Sequence, residues 1–397
     1  MKILLLASRF PWPLEKGDKL RVFHMMKALA ETHEVVLVAL SDGPVTVDDL
    51  DQIRSLHITP HVIQLRWWRR VLRMAWAVFS SRPFQVHWFY QGQAAAQVRR
   101  IIAKENPDRI LCQMIRMSEY VKELHEIPRT LDYMDALSAG MRRRAKLHRG
   151  PYRWVLAMEG RRLAQYEAAV LNYFDGVTII SEADRNLISH PERKDIRVIP
   201  NGVDAAFFGT PTAPLVLPAQ VTAETTVLLF TGNMAYPPNV RAAIRLATDI
   251  LPQLQELNVH LLIAGASPVA QVWALASERV TVTGWLEDIR SAYRAGDLFV
   301  APLDIGTGLQ NKILEAMASG LPCITTPNVA AGLPKDGNGL AAPVRVADDD
   351  SAWVAAIAEA CAGGGEVAGL ARAGEKYVRE TTSWSAAASA LTTTFAT

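Results

Sequence analysis

The stretch Asp304-Ile-Gly-Thr-Gly-Leu-Gln-Asn-Lys-Ile-Leu-Glu-Ala-Met-Ala-Ser-Gly-Leu-Pro322 decides how the rest of the chain is read. It opens on a glycine-spaced loop, Gly306-Thr307-Gly308, that runs directly into a predicted helix. Ile313, Leu314, Met317 and Ala318 recur at the helical period, and Gly320 stands just past the end, where a left-handed residue closes a helix. Apolar runs at 297–302 and 322–326 predict a strand on each side. A loop of small residues feeding a helix N-terminus offers free N–H groups and the positive end of the dipole to an anion. Lys312 adds a full charge in the first turn, and Glu315, three residues on, shares its face. A ligand with phosphate at one end and vicinal hydroxyls one helical turn (~5 Å) away would fit the pair, because an ionised carboxylate accepts from two hydroxyls at once. The plainer alternative is a βαβ crossover whose Lys and Glu face solvent, and these residues alone leave both open.

Working back to the start, residues 2–8 predict a buried strand, 8–18 a Pro-rich loop ending at Gly17 and Asp18, 19–31 a helix and 35–40 a second strand. This is a Rossmann-like opening without Gly-x-Gly-x-x-Gly, which argues against a dinucleotide site. Strands near 109–112 and 129–132 continue the first sheet, and Asp135 follows the latter at the carboxyl edge where α/β ligands bind. A long helix is predicted over 152–173 and a linker rich in Pro, Thr and Ala over 209–223. Strand–helix alternation then restarts: strands at 226–231, 258–264 and 279–283, helices at 240–256 and 268–277. That pattern is a second doubly wound sheet. Asp49-Leu50-Asp51 has the Asp-x-Asp form of metal-dependent sugar transferases, but it opens a helix, where acidic side chains favour the dipole. Asp348-Asp-Asp350 reads the same way.

With 397 residues the chain is too long for one ordinary core. Half its residues are apolar and 21% are charged, so it is globular. No apolar run reaches the ~18 residues of a spanning helix, and three scattered cysteines give neither a disulfide framework nor a zinc spacing, which points to a reducing cytoplasm. Net charge is +2, yet residues 1–175 carry 27 basic against 18 acidic side chains, a net +9, and the remainder carries −7. Residues 66–76 join four arginines to three tryptophans, and 141–149 adds a second basic cluster. Such a composition over 66–82 and 141–149 fits an anionic membrane surface, so peripheral attachment at the inner face of the cytoplasmic membrane is expected; arginine stems lying over apolar surface are the alternative. The clusters carry no nucleic-acid motif, and no nucleic-acid partner is expected.

Glu315-Ala-Met-Ala-Ser-Gly-Leu-Pro322 resembles the donor-binding signature of glycosyltransferase family 4, retaining sugar-nucleotide transferases of the GT-B fold. That signature pairs two glutamates eight positions apart, and the first falls here on Thr307. Pro200-Asn-Gly-Val-Asp204 is similar to the family's interdomain segment. The resemblance implies an N-terminal acceptor-side domain over 1–203, a nucleotide-sugar domain over 204–380, and a tail, 381–397, crossing back to the first. It implies that Gly17 faces the donor phosphate. Donor contacts would come from Gly232, Asn233, Trp285 and Leu286, and from Thr307, Gly308, Leu309, Lys312 and Glu315. The family's diphosphate-binding arginine and lysine are replaced by Asn233 and by Pro238 or Asn239, which shifts that burden to Lys312, the helix end and Asn233. No metal or other cofactor is implied, and Lys312 and Asp135 are the candidate catalytic residues. The acceptor would be a saccharide or lipid-linked saccharide, in cell-surface polysaccharide or glycan assembly. A GT-B sugar-nucleotide epimerase and a non-catalytic nucleotide-binding protein are the competing readings.

Overall fold

A computed structural model describes the chain except for residues 15–16, 304–309, 337–338, 364 and 396–397. It forms two compact units, Met1–Pro200 with Trp384–Thr397, and Asn201–Ser383. The sheet of the first unit contains β1 (Lys2–Ala7), β2 (Glu34–Ser41), β3 (Thr59–Gln64), β4 (Arg109–Gln113), β5 (Arg129–Asp132), β6 (Gly176–Ile179) and β7 (Arg197–Val198). All are parallel, in the order β3-β2-β1-β4-β5-β6-β7, with Leu4 opposite both Val36 and Ile110. Alternate side chains of β1 feed two separate cores, which is why its sequence is apolar throughout instead of alternating. Leu4 and Leu6 join Val98 and Leu163 on one face; Ile3 and Leu5 join Met26, Leu29 and the C-terminal Trp384, Leu391 and Phe395 on the other. The chain thus returns to complete its first unit. The helix Trp384–Thr393 packs on α1 (Gly17–Ala30), where Trp384 stacks on His24 with ring centroids 5.0 Å apart.

The next helix, α2 (Val47–Arg54), accounts for the Asp-x-Asp pattern. Thr46 Oγ1 accepts from the Asp49 N–H, and the Asp49 carboxylate accepts from the Thr46 N–H, a closed capping box. Asp349 likewise caps the helix at 350–361, accepting from the Ala352 N–H.

The basic-aromatic stretch folds as α3 (Trp67–Ala77), followed by α4 (Phe84–Phe89) and α5 (Gly92–Glu105). Two of its four arginines, Arg70 and Arg73, lie over aromatic surface, as in the alternative named above. Arg70 is buried beside Asp42 at 3.2 Å and lies over the Trp88 ring, while the half-buried Arg73 lies over Tyr90. Trp67, Val71, Leu72 and Trp76 turn to solvent instead. The second basic cluster lies on α6 (Leu137–Leu147) and the turn into α7 (Pro151–Leu171), which pack against each other.

The second unit holds β8 (Thr226–Thr231), β9 (Val259–Ala264), β10 (Val280–Val282), β11 (Leu298–Ala301), β12 (Cys323–Thr325) and β13 (Arg345–Val346), parallel in the order β10-β9-β8-β11-β12-β13. The expected helix over 240–256 begins at Pro237 but becomes a π turn, Leu246–Ile250, and then a 3₁₀ turn, Leu251–Leu254. Pro252 has no N–H to continue the α-helical ladder. The helix expected at 268–277 is reduced to Ala270–Trp273. The expected linker is not free: Leu215, Leu217 and Val221 pack on the second unit's core, and the Leu215 N–H donates to the Ser291 carbonyl at 2.8 Å. Each sheet changes direction once, between β1 and β4 and between β8 and β11. In open α/β sheets the crevice at the carboxyl ends of such a strand pair is where ligands bind.

Candidate functional site

Of these two crevices, that of the second unit gathers the signature. β8 ends in Thr231 and passes into Gly232 at φ +156°. The signature helix, Asn311–Ala318, starts across from it and closes at Gly320, φ +80°, as its sequence predicts. Lys312, on its first turn, donates from Nζ to Asn239 Oδ1 at 2.7 Å and lies 4.7 Å from the centroid of the Phe230 ring. Asn239 Nδ2 in turn donates to the Asn233 carbonyl at 2.9 Å. A Cβ on Gly232 would stand 2.8 Å from Lys312 Nζ and 2.6 Å from Asn239 Nδ2, so the lysine reaches the strand end only because residue 232 has no side chain. Burial pushes the Lys312 ammonium down to about 7, against the raising influence of Glu315. The side chain keeps some exposed surface, so an incoming anion can reach it.

One turn along, Glu315 accepts from the Tyr293 hydroxyl at 2.8 Å, and that oxygen lies 2.9 Å from Thr231 Oγ1. Burial raises the Glu315 carboxyl, while the Tyr293 bond and the Lys312 charge hold it down. Tyr293, from the helix Arg290–Ala295, is 1% exposed and therefore fixes which way the carboxylate turns. Lys312 and Glu315 thus share a face as their spacing predicts, one aimed at the end of β8 and the other at the helix before β11.

The remaining donor-side residues are spread more widely. Asn233 is exposed, and its amide oxygen is engaged by the Ala235 N–H at 2.9 Å in an Asx turn. The buried Asn239 is the residue that meets Lys312 instead. Trp285 is 68% exposed after Gly284, φ +71°, and Leu286 is half-buried against the core. Thr307, Gly308 and Leu309 lie outside the described residues.

In the first unit, Gly17 is the exposed first residue of α1, and a Cβ there would meet nothing within 4 Å among the described residues. The loop after β1 is braced beside it: Arg9 pairs with Asp18, and Gln113 Nε2 donates to the Asp18 carbonyl at 2.8 Å. Behind it Arg21 and Asp132 form a buried two-point ion pair at 2.6 and 3.1 Å, and Thr178 donates to the same carboxylate at 2.9 Å. Asp135 follows β5 after Met134, a non-glycine residue at φ +64°. Surrounding protein and the Asp184 charge push its carboxyl up to about 6, against Arg116 and Arg143. Its side chain is exposed, and contact with water limits how far that proton is held.

Sequence reading missed Asn239 and Tyr293 as site residues. Asn239 stood only as a weak match to the family's lysine position, and nothing local marks a tyrosine near 293 as a carboxylate partner.

Residues 225–362, which contain the whole Gly232–Lys312–Glu315 constellation, match the family described as Glycosyl transferases group 1. Over that span the second unit resembles a group 1 glycosyltransferase domain. Over 203 residues the chain is 26% identical to EpsF of Bacillus subtilis (strain 168), itself provisionally described as a glycosyltransferase. The match covers 49% of this chain, which spans about half the length of that relative, 50%. Among solved structures, Anabaena HepE in complex with UDP superimposes over 100% of both chains with a TM-score of 0.69 at 16% identity. The sucrose-phosphate synthase of Thermosynechococcus elongatus does so over 100% of this chain and 98% of its own, with a TM-score of 0.67 at 16% identity. The two-sheet architecture is that of the GT-B fold, and the matched residues 225–362 lie in its second unit.

Proposed function

We propose that this protein is a retaining, hexosyl-type glycosyltransferase that moves a sugar from a nucleotide-sugar donor to a saccharide or lipid-linked saccharide acceptor in cell-surface polysaccharide or glycan assembly. The observation that carries this reading is the corner formed by Gly232, Asn239 and Lys312, with Glu315 and Tyr293 one helical turn away. Transfer breaks the bond between the anomeric carbon and the diphosphate, and negative charge grows on the leaving oxygen. A lysine held near neutrality by burial gains most when that charge appears beside it, so its stabilisation increases towards the transition state. Glu315, turned by Tyr293, is the acceptor for two ribose hydroxyls. Residual water would divert the sugar to hydrolysis, and its exclusion favours the acceptor hydroxyl. Charge neutralisation is assigned to Lys312 without a metal ion, and the Asp49 carboxylate of the Asp-x-Asp pattern is taken up by a helix cap. Asp135, with its raised carboxyl at a carboxyl strand edge, is the group proposed to handle the acceptor proton. The likeness to HepE, solved with UDP-glucose, makes UDP-sugars the first donors to test.

The test is a thermal-shift screen of UDP-, GDP- and ADP-sugars followed by donor hydrolysis assays. One nucleotide class should raise the midpoint and be slowly hydrolysed. Binding without hydrolysis or transfer would leave a nucleotide-binding protein, and conversion of the donor to its 2-epimer without acceptor would make it an epimerase.

A further inference from the structure

The outer face of α3 is built the wrong way round for a surface helix. Trp67, Val71 and Ala75 form one row at four-residue spacing and Trp68, Leu72 and Trp76 the adjacent one, and all six are exposed. Arg70 and Arg73 between them turn back onto Trp88 and Tyr90, whereas Arg69 lies over Trp68 of the stripe itself. The stripe continues past the helix end through Val78 and Phe79, the latter 88% exposed. It then reaches α7: Arg162 donates to the Ala77 and Val78 carbonyls at 2.8 and 3.2 Å, and the exposed Val155 lies two turns before Arg162 on the same side of its helix. Trp154, beside it, is 78% exposed. A continuous apolar strip of this kind marks an interaction surface.

Charge identifies the occupant. Asp51 and Glu105 bracket 53 residues without one carboxylate and with nine Lys or Arg. Asp135 and Glu159 bracket another 23, with six. Of the second group, Arg144, Lys146, Arg149 and Arg153 are exposed at the α6–α7 turn beside Trp154. Exposed aromatic rings fringed by cations, with no acidic side chain from the same segments, match the two layers of an anionic bilayer: rings at the headgroup and acyl boundary, ammonium and guanidinium groups at the phosphates. We propose that the α3 stripe and the α6–α7 turn dock the first unit on an anionic lipid surface, with the aromatics, and not the α3 arginines, entering the lipid.

The full chain is tested by co-sedimentation with phosphatidylcholine vesicles, with and without phosphatidylglycerol, alongside sedimentation velocity without lipid. The wild type should bind only the phosphatidylglycerol vesicles, with a blue shift in tryptophan emission. Trp76→Ser with Phe79→Ser should weaken partitioning by roughly tenfold or more while keeping its salt dependence. Arg144→Gln, Lys146→Gln and Arg149→Gln together should weaken it and flatten the salt dependence. Wild type left in the supernatant at low salt would overturn the proposal, as would aromatic variants that bind as the wild type does. A wild-type dimer dispersed by Trp76→Ser would assign the stripe to a second copy of the chain instead. Nucleotide binding by the second unit is read separately, so failure here leaves the proposed transfer untouched.

Discussion

Among the described residues, the ammonium of Lys312 meets one amide oxygen and one aromatic ring, where water would supply an acceptor for each of its three protons. Burial lowers its pKa, and a diphosphate arriving beside it should raise the value again. The lysine then binds donor in its charged form. Affinity should be full below pH ~7 and fall as pH rises through that value, with net proton uptake on binding just above neutrality. Calorimetry in two buffers of different ionisation enthalpy measures the uptake, and a zero value there would remove Lys312 from the diphosphate. Lys312→Met should lower kcat more than donor affinity; equal losses in affinity and kcat/KM with kcat intact would make it a ground-state clamp. Glu315→Gln should cost about 1.5–3 kcal/mol of nucleotide affinity with the fold kept. Tyr293→Phe should weaken the same affinity by about 1 kcal/mol, because Glu315 loses the bond that aims it and its carboxyl rises further. Lys312 and Glu315 could be read from sequence because their relation is local to one helix. Asn239 and Tyr293 could not, since each arrives from another element and only the folded sheet brings it there.

Among elements, the turn after β8 sets the tolerance of the site. Gly232→Ala should displace Lys312 and Asn239 together, both because the new methyl overlaps their polar ends and because φ +156° strains an L side chain. Nucleotide affinity should drop at least as far as in Lys312→Met, with a modest loss of thermal midpoint. Gly17→Ala offers the opposite case. Among the described residues no atom lies where its methyl would go, so stability should be unchanged, and only a ligand approaching that backbone would make it costly. An unaltered affinity for the donor would show that no phosphate comes close to residue 17. The same contrast governs what was legible in the elements. β1, β2 and β8 are buried on both faces and read as unbroken apolar runs, whereas β3 lies at the sheet edge, half-exposed and carrying Pro60, and its sequence gives no such run. The direction in which α3 faces was hidden because Trp88 and Tyr90, which draw Arg70 and Arg73 inward, come from α4 and the residue after it.

For the molecule as a whole, the two sheets are separate cores joined by a chain that crosses twice, at 200–201 and at 383–384. Trp384, Ala387, Leu391 and Phe395 fill the face of the first sheet built from β1, β2 and α1. Trp384→Ala should therefore destabilise the first unit by about 3 kcal/mol while leaving nucleotide affinity unchanged. Differential scanning calorimetry with and without nucleotide would separate the two transitions, and a loss confined to the nucleotide-stabilised one would contradict the assignment. On the ribosome this arrangement inverts the usual order of events, in which the N-terminal domain is finished first. The strands Lys2–Ala7 and Glu34–Ser41 emerge early with α1, but part of the cover of that face, Trp384, Leu391 and Phe395, is made only after the entire second unit. The first unit is begun first and completed last, and until then the part of its apolar face that α1 does not cover is left for a chaperone to shield.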